Sequence, residues 1–197
     1  DYDKDGCFSG GAVEMPDGRH LLMYTGVRSV RQKNGKVESF QTQCIAIGDG
    51  VNYEKYEGNP VITAKGLPEG GSVHDFRDPH IWREDDWYYV VVGNRTEDTS
   101  GTILLYRSPD AIHWEFVSKV ASCHNQYGKM WECPDFFPLD GKHVLLISPQ
   151  EMMAIGLEFH PGNANVCIIG DFDRKTHHLM RDNVQAIDRK ASCRERV

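Results

Sequence analysis

The chain alternates short apolar runs with polar turns, and this pattern predicts β-strands. The predicted strands are rich in β-branched and aromatic residues, are bounded by turn-forming residues, and span 20–26, 43–48, 87–93, 101–108, 143–148 and 165–173. No stretch of 12 or more residues keeps an apolar stripe at the period of a helix. Nineteen glycines and nine prolines provide residues for many turns. The sequence therefore predicts an all-β protein.

Three segments of the chain repeat the same order of features. Each starts with an aromatic residue, carries an acidic turn residue nine positions later and continues as an apolar strand; the pairs are Phe8 and Asp17, Phe76 and Asp85, and Trp131 and Asp140. Asp-Gly, a strong hairpin signal, fills two of the three turns. The leading aromatics are 68 residues (8 to 76) and 55 residues (76 to 131) apart, which leaves room for about four strands in each unit. This is the size of a β-propeller blade, although a β-sandwich with three similar hairpins is an alternative.

Polar residues occupy the same position in each repeat. Ser9, Arg77 and Glu132 directly follow the leading aromatic, and Asp78 lies one residue further on. In a propeller the innermost strand of every blade begins beside the central channel, so residues at equivalent positions converge there. The repeat therefore predicts a polar pocket formed by residues that are far apart in sequence.

Each of these side chains also has a purely structural explanation. Arg77 and Asp78 could form a salt bridge at the start of a blade, and Glu132 could cap a turn. Phe8 and Trp131 could be core aromatics, and we do not predict that Trp131 contacts a ligand directly. The sequence alone leaves these alternatives open.

The composition of the chain argues against several classes of partner and site. The net charge of −7 and the lack of a basic patch argue against nucleic acid, and no apolar run approaches the roughly 20 residues that span a membrane. The six cysteines contain no C-x-x-C pair, which argues against zinc. We therefore predict no metal site and no cofactor. Because free thiols are typical of the cytoplasm, we expect a cytoplasmic location.

Several blocks of the sequence resemble the successive blocks of glycoside hydrolase family 32. The blocks are CFSGGAV (7–13), YTG (24–26), QTQCIAIGDG (41–50), NPVI (59–62), FRDPHIW (76–82), GTILLYRSPD (101–110) and MWECPDFF (130–137). The family contains β-fructofuranosidases such as invertase and sucrose-6-phosphate hydrolase, and the resemblance runs from about residue 3 to residue 188. It implies a five-bladed β-propeller that hydrolyses terminal, non-reducing β-D-fructofuranosides with retention of configuration. The expected substrate is thus a small carbohydrate.

The resemblance also implies roles for individual residues. Glu132 matches the general acid/base, and Asp78 matches the carboxylate that holds fructose hydroxyls and stabilises the transition state. Phe8, Ser9 and Arg77 resemble the other fructose contacts of the family. An acid catalyst must be protonated when the substrate binds, and apolar neighbours and other carboxylates, such as Asp135, favour that form. Asp78 should instead stay ionised, which Arg77 would favour if the two side chains meet.

The sequence departs from the family at both ends of the resemblance. The nucleophile of the family is an aspartate in an NDPNG block, and no such block occurs in the 197 residues. VQAID (184–188) resembles the start of the fifth-blade block, but the residues that follow show no strand pattern. We therefore expect residues 1–188 to be a fragment of the catalytic propeller, corresponding to blades two to four, and residues 189–197 to be a tail outside the family.

These departures determine what the chain can be expected to do. It carries two of three catalytic carboxylates, so it should be inactive alone, and open blade faces could lead it to self-associate. The alternatives are a non-catalytic, carbohydrate-binding propeller fragment and a related furanosidase of the arabinanase type. The sequence does not distinguish sucrose, sucrose 6-phosphate and fructans as substrates.

Overall fold

The fold consists of twelve β-strands and one single-turn 3-10 helix, Ala64–Gly66, in a computed structural model that describes residues 2–187. The strands are β1 (Gly6–Glu14), β2 (His20–Arg31), β3 (Val37–Gly48), β4 (Tyr53–Lys55), β5 (Gly71–Glu84), β6 (Trp87–Thr96), β7 (Gly101–Ser108), β8 (Glu115–Ser122), β9 (Met130–Leu139), β10 (Lys142–Gln150), β11 (Val166–Asp173) and β12 (His178–Ala186). The six strands predicted from the apolar runs coincide with β2, β3, β6, β7, β10 and β11. The prediction of an all-β protein is confirmed.

The strands form three separate sheets of four antiparallel strands, each in sequential order. The first sheet holds β1–β4, the second β5–β8 and the third β9–β12. Each repeat predicted from the sequence is thus one sheet, and the leading aromatic of each repeat lies in the first strand of its sheet. This arrangement confirms a partial β-propeller of about three blades, and the β-sandwich alternative is wrong.

The second sheet is buried on both faces because it packs between the other two. In β6, Val90 and Val92 belong to the core shared with the first sheet, whereas Val91 belongs to the core shared with the third. Successive side chains of a strand point to opposite faces, so a strand that is covered twice needs apolar residues at every position. This is why the run WYYVVVG is continuous rather than alternating.

The first strands of the sheets differ in exposure. Most residues of β1 are exposed, including Phe8 at 46%. The equivalent strand β5 lies between β1 and β9, and most of its residues are buried or half-buried. Phe76 and Trp131, which match Phe8 in the repeat, are fully buried core residues. The core interpretation therefore holds for Trp131 but is wrong for Phe8.

An aromatic cluster of the third sheet faces the second sheet, where the ring centroid of Trp82 lies 6.0 Å from that of Phe136. The ring of His143 packs against Phe136 and Phe172, with centroids 5.2 and 5.1 Å away. Burial and the positive charge of Arg174 lower the pKa of His143, and the negative charge of Glu84 opposes them. Arg174 and Glu84 are themselves joined by an ion pair of 2.7 Å.

Two predictions fall at the limits of the described chain. The boundary at residue 188 and the tail 189–197 lie outside the described residues and stay predictions. Within residues 2–187, no helix is long and apolar enough to cross a membrane.

Candidate active site

The first strand of every sheet contains a β-bulge at the same place in the repeat. Ser9 is an extra residue in β1 opposite β2, and Asp78 with Pro79 faces a single residue of β6. Cys133 with Pro134 likewise faces a single residue of β10. A bulge bends its strand and turns a side chain in a new direction, and here all three bulges lie beside one pocket.

The bulges in β5 and β9 require an unusual backbone. Asp78 and Cys133 both adopt left-handed conformations, with φ of 63° and 47°. This conformation costs a residue with a side chain roughly 1–2 kcal/mol, so the surrounding contacts must hold it in place. The proline after each residue is the sequence signal of these bulges, since proline cannot donate to the strand ladder.

All five residues predicted for the site line one solvent-open cavity of about 570 Å³. They are Phe8 and Ser9 from β1, Arg77 and Asp78 from β5, and Glu132 from β9. Sequence reasoning did not assign five further lining residues to the site, namely Cys7, Gln41, His74, Asp75 and Cys133. Gln41 had a usable sequence signal, because Gln41 and Gln43 place polar side chains on the same face of β3, directly before its apolar run CIAI (44–47).

Arg77 connects the second and third sheets. Arg77 as a whole is only 8% exposed, and its guanidinium donates a hydrogen bond from Nε to Oε1 of Glu132 over 2.9 Å. It also contacts the carboxylate of Asp75 at 3.1 Å and the side-chain oxygens of Gln41 and Gln150, both at 3.3 Å. Burial lowers the pKa of Arg77, but hydrogen bonds and charge from Asp75 and Glu132 raise it above its ordinary value. The cation is thus held between two carboxylates.

The carboxylate of Asp78 has a different partner from the one the sequence suggested. Its Oδ2 accepts a hydrogen bond from the backbone N–H of Cys133 at 3.0 Å and lies 3.5 Å from the Cys133 thiol. The sequence left open whether Arg77 meets Asp78, and the ion pairs of Arg77 are instead with Asp75 and Glu132. The physical reason is the bulge, which turns two successive side chains of β5 toward different partners.

The neighbours of Glu132 also differ from expectation. Its side chain is 26% exposed and lies within strand β9, so it does not cap a turn. Asp135, which we expected to act on Glu132, lies 3.0 Å from Nδ1 of His80 instead. Cys133 next to Glu132 is a neutral thiol, because partial loss of solvent beside the pocket raises its pKa to about 11 and the negative charge of Asp78 adds to this effect.

The pocket therefore offers three carboxylates with distinct surroundings (Asp75, Asp78 and Glu132), a buried cation and an exposed aromatic face. Such a set suits a polar ligand with several hydroxyl groups, since carboxylates accept hydrogen bonds from hydroxyls and Phe8 can pack against C–H groups. Within residues 2–187, no group of three or more His, Cys, Asp or Glu side chains is arranged to hold a metal ion.

Comparison with known proteins points to a single family. The model of the glycosyl hydrolases family 32 N-terminal domain matches residues 1–192. The sucrose-6-phosphate hydrolase of Bacillus subtilis (strain 168) is 35% identical over 192 residues, which are 95% of this chain and 38% of that protein.

Solved structures agree with this assignment. A β-fructofuranosidase of Bombyx mori, in a mutant form in complex with sucrose, superposes with a TM-score of 0.81 at 39% identity, over 92% of this chain and 38% of that one. The sucrose-6-phosphate hydrolase of Lactobacillus gasseri gives a TM-score of 0.79 at 27% identity, over 95% of this chain and 38% of that one. The chain thus spans 38% of the length of these relatives. On this evidence the chain belongs to glycosyl hydrolase family 32 and corresponds to part of its N-terminal domain.

Proposed function

We propose that this chain forms part of the fructose-binding site of a retaining β-fructofuranosidase that hydrolyses terminal, non-reducing β-D-fructofuranosides. The observation that carries the proposal is the meeting of Asp78 and Glu132, 54 positions apart (78 to 132), in one hydroxyl-accepting pocket. Membership of family 32 excludes the arabinanase-like alternative. Because the chain spans 38% of the length of its relatives, the activity is proposed for the whole protein that carries it.

Glu132 is the general acid/base in this proposal. Cleavage of a glycoside passes through an oxocarbenium-like state, and the departing oxygen needs a proton. The carboxyl group of Glu132 donates that proton as the C–O bond breaks, and in the second step it takes a proton from the attacking water. Arg77 holds the Glu132 side chain in the pocket lining by its hydrogen bond from Nε.

Asp78 stabilises the transition state in this proposal. Its carboxylate accepts hydrogen bonds from fructose hydroxyls and faces the positive charge that develops on the sugar ring. The Cys133 N–H leaves further lone pairs of this carboxylate available to a ligand. Phe8 supplies a flat apolar surface for the sugar, and Ser9 and Arg77 add polar contacts. No residue of this chain is assigned as the nucleophile.

The relatives indicate the class of substrate. The Bombyx mori structure contains sucrose, and the B. subtilis and L. gasseri relatives are named sucrose-6-phosphate hydrolases. A small fructoside, such as sucrose or sucrose 6-phosphate, is therefore the proposed substrate of the whole protein.

The test is hydrolysis of four substrates by the whole protein: sucrose, sucrose 6-phosphate, inulin and levan. We expect release of fructose from at least one substrate, with the β-anomer as the first product detected by NMR. Release of the α-anomer first would contradict a retaining mechanism. A folded protein that binds sucrose by calorimetry but releases fructose from none of the four would support the non-catalytic, carbohydrate-binding alternative.

A further inference from the structure

We infer that Thr25 and Gln43 of the first sheet are positioning residues for Asp78. The inference rests on the proposed function, in which the direction of the Asp78 carboxylate matters for turnover. Thr25 and Gln43 are polar residues with no solvent exposure, and they lie next to the apolar inward positions Met23 and Ile45. Burying such groups is costly unless each one is hydrogen-bonded.

A short chain of hydrogen bonds links these residues to β5. The backbone N–H of Asp78 donates to Oγ1 of Thr25 at 2.9 Å, and the Thr25 hydroxyl donates to Oε1 of Gln43 at 2.9 Å. The side-chain amide of Gln43 then donates from Nε2 to the carbonyl oxygen of Phe76 at 2.8 Å. The Asp78 N–H can only donate and the Phe76 carbonyl can only accept, so the directions of the bonds between them are fixed.

The two ends of this chain of bonds hold the backbone on both sides of Arg77. The Phe76 carbonyl lies before Arg77, and the Asp78 N–H lies after it. These peptide groups set the point at which β5 leaves its pairing with β6 and Asp78 enters the left-handed conformation. The first sheet therefore fixes the backbone of Asp78, while the third sheet binds its carboxylate through the Cys133 N–H.

Two apolar residues at positions 25 and 43 would have filled the same space without fixing the direction of the Asp78 carboxylate. Valine has nearly the shape of threonine but cannot accept the bond from the Asp78 N–H. The loss would let the bulge relax and would move the carboxylate away from the sugar. Displacements of about 1 Å at such a site reduce turnover by up to about 100-fold.

The experiment compares kcat and KM of the whole protein on sucrose for Thr25→Val and Thr25→Ser. We expect Thr25→Val to lower kcat about 10- to 100-fold with a smaller change in KM, because the contact with Asp78 acts in the transition state. Thr25→Ser keeps the hydroxyl and should restore kcat to within about threefold of the original value. If Thr25→Val does not fold, Thr25→Ala removes the hydroxyl without adding a methyl group and carries the same expectation.

Thr102→Val is the matched control. Thr102 is also fully buried and donates to the carbonyl oxygen of Ala121 at 2.9 Å, within the second sheet and away from the pocket. This variant should lose thermal stability to a similar extent but keep its kcat. If Thr102→Val lost as much kcat as Thr25→Val, the loss in Thr25→Val would be explained by general destabilisation, and the inference would be overturned.

A double-mutant cycle with Asp78→Asn separates the inference from the proposed function. If Thr25 acts through the Asp78 carboxylate, Thr25→Val should cause little further loss of kcat in the Asp78→Asn background. An undiminished further loss, or an unchanged kcat in Thr25→Val alone, would refute the positioning role. If Asp78→Asn itself keeps the original turnover, the proposed function of Asp78 fails first, and the inference fails with it.

Discussion

Replacing Glu132 with glutamine tests the proposed acid with little disturbance of the fold. Glutamine keeps an oxygen that can accept the 2.9 Å hydrogen bond from Nε of Arg77, and Arg77 keeps its ion pair with Asp75. The Glu132 side chain is 26% exposed and Arg77 keeps Asp75 as a counter-ion, so the free energy of unfolding should fall by only about 1–2 kcal/mol. The chemical effect should be much larger, since general acid catalysis contributes about 100- to 10,000-fold.

The assay compares kcat/KM of the whole protein on two substrates that differ in their leaving groups. Sucrose needs a proton on its departing oxygen, whereas a β-fructofuranosyl fluoride releases fluoride without one. We expect Glu132→Gln to lower kcat/KM on sucrose by about 100- to 10,000-fold, or about 3–5 kcal/mol in the activation free energy. On the fluoride the loss should be less than about tenfold, because kcat/KM reports the first irreversible step.

Two further measurements sharpen the result. Azide needs no general base, so it should raise kcat of Glu132→Gln on the fluoride by attacking the glycosyl-enzyme intermediate. Glu151→Gln serves as the control, since Glu151 is an exposed glutamate paired with Arg95 and Lys129, and it should leave both substrates unaffected. Equal losses of kcat/KM on sucrose and on the fluoride would refute the assignment of Glu132 as the acid.

Three other predictions concern the fold of the chain. Because the fold lowers the pKa of His143, the stability from its neutral form is complete above the ordinary value of about 6.5 and is lost as the pH falls through the folded pKa. His143→Phe should therefore show a weaker decrease in urea-unfolding free energy between about pH 7.5 and pH 5, and an unchanged decrease would contradict this. A Cβ at Gly93 would lie 2.1 Å from the Trp131 carbonyl oxygen, so Gly93→Ala should cost about 1–3 kcal/mol or more in thermal unfolding, whereas Gly6→Ala, with contacts no closer than 3.5 Å, should be nearly neutral. The 197-residue chain, with β1 mostly exposed, should self-associate in light scattering across a concentration series, and a monodisperse species of 22.4 kDa at high concentration would count against it.

The strands and the location of the pocket could be predicted because they follow from local patterns. The apolar runs identified the two central strands of every sheet, and the repeat placed Ser9, Arg77 and Glu132 beside one another. The outer strands were harder to predict, because β4 has three residues and β12 is largely exposed and carries few apolar positions. Apolar periodicity is a signal of burial, so it fades in strands at the edge of a sheet.

The pairing of charges within the pocket could not be predicted from sequence. Arg77 and Asp78 are adjacent, which suggested a mutual contact, yet Arg77 binds Glu132 and Asp78 binds the Cys133 backbone. The difference arises from bulges that change the direction of one side chain relative to the next. The Asp-Pro and Cys-Pro steps indicate where a bulge lies, but the direction of each side chain depends on the neighbouring sheet.

The same hydrogen bonds join the sheets and shape the proposed active site. Thr25 of the first sheet holds the Asp78 backbone, Asp78 of the second sheet holds the Cys133 N–H of the third, and Arg77 holds Glu132. First strands of neighbouring sheets do not pair through their backbones, so side chains have to supply the polar links between them. The charged residues Arg77 and Asp78 are therefore buried for two reasons: they join neighbouring sheets, and they line the proposed active site. The substitutions that most disturb the pocket should also be those that loosen one sheet from the next.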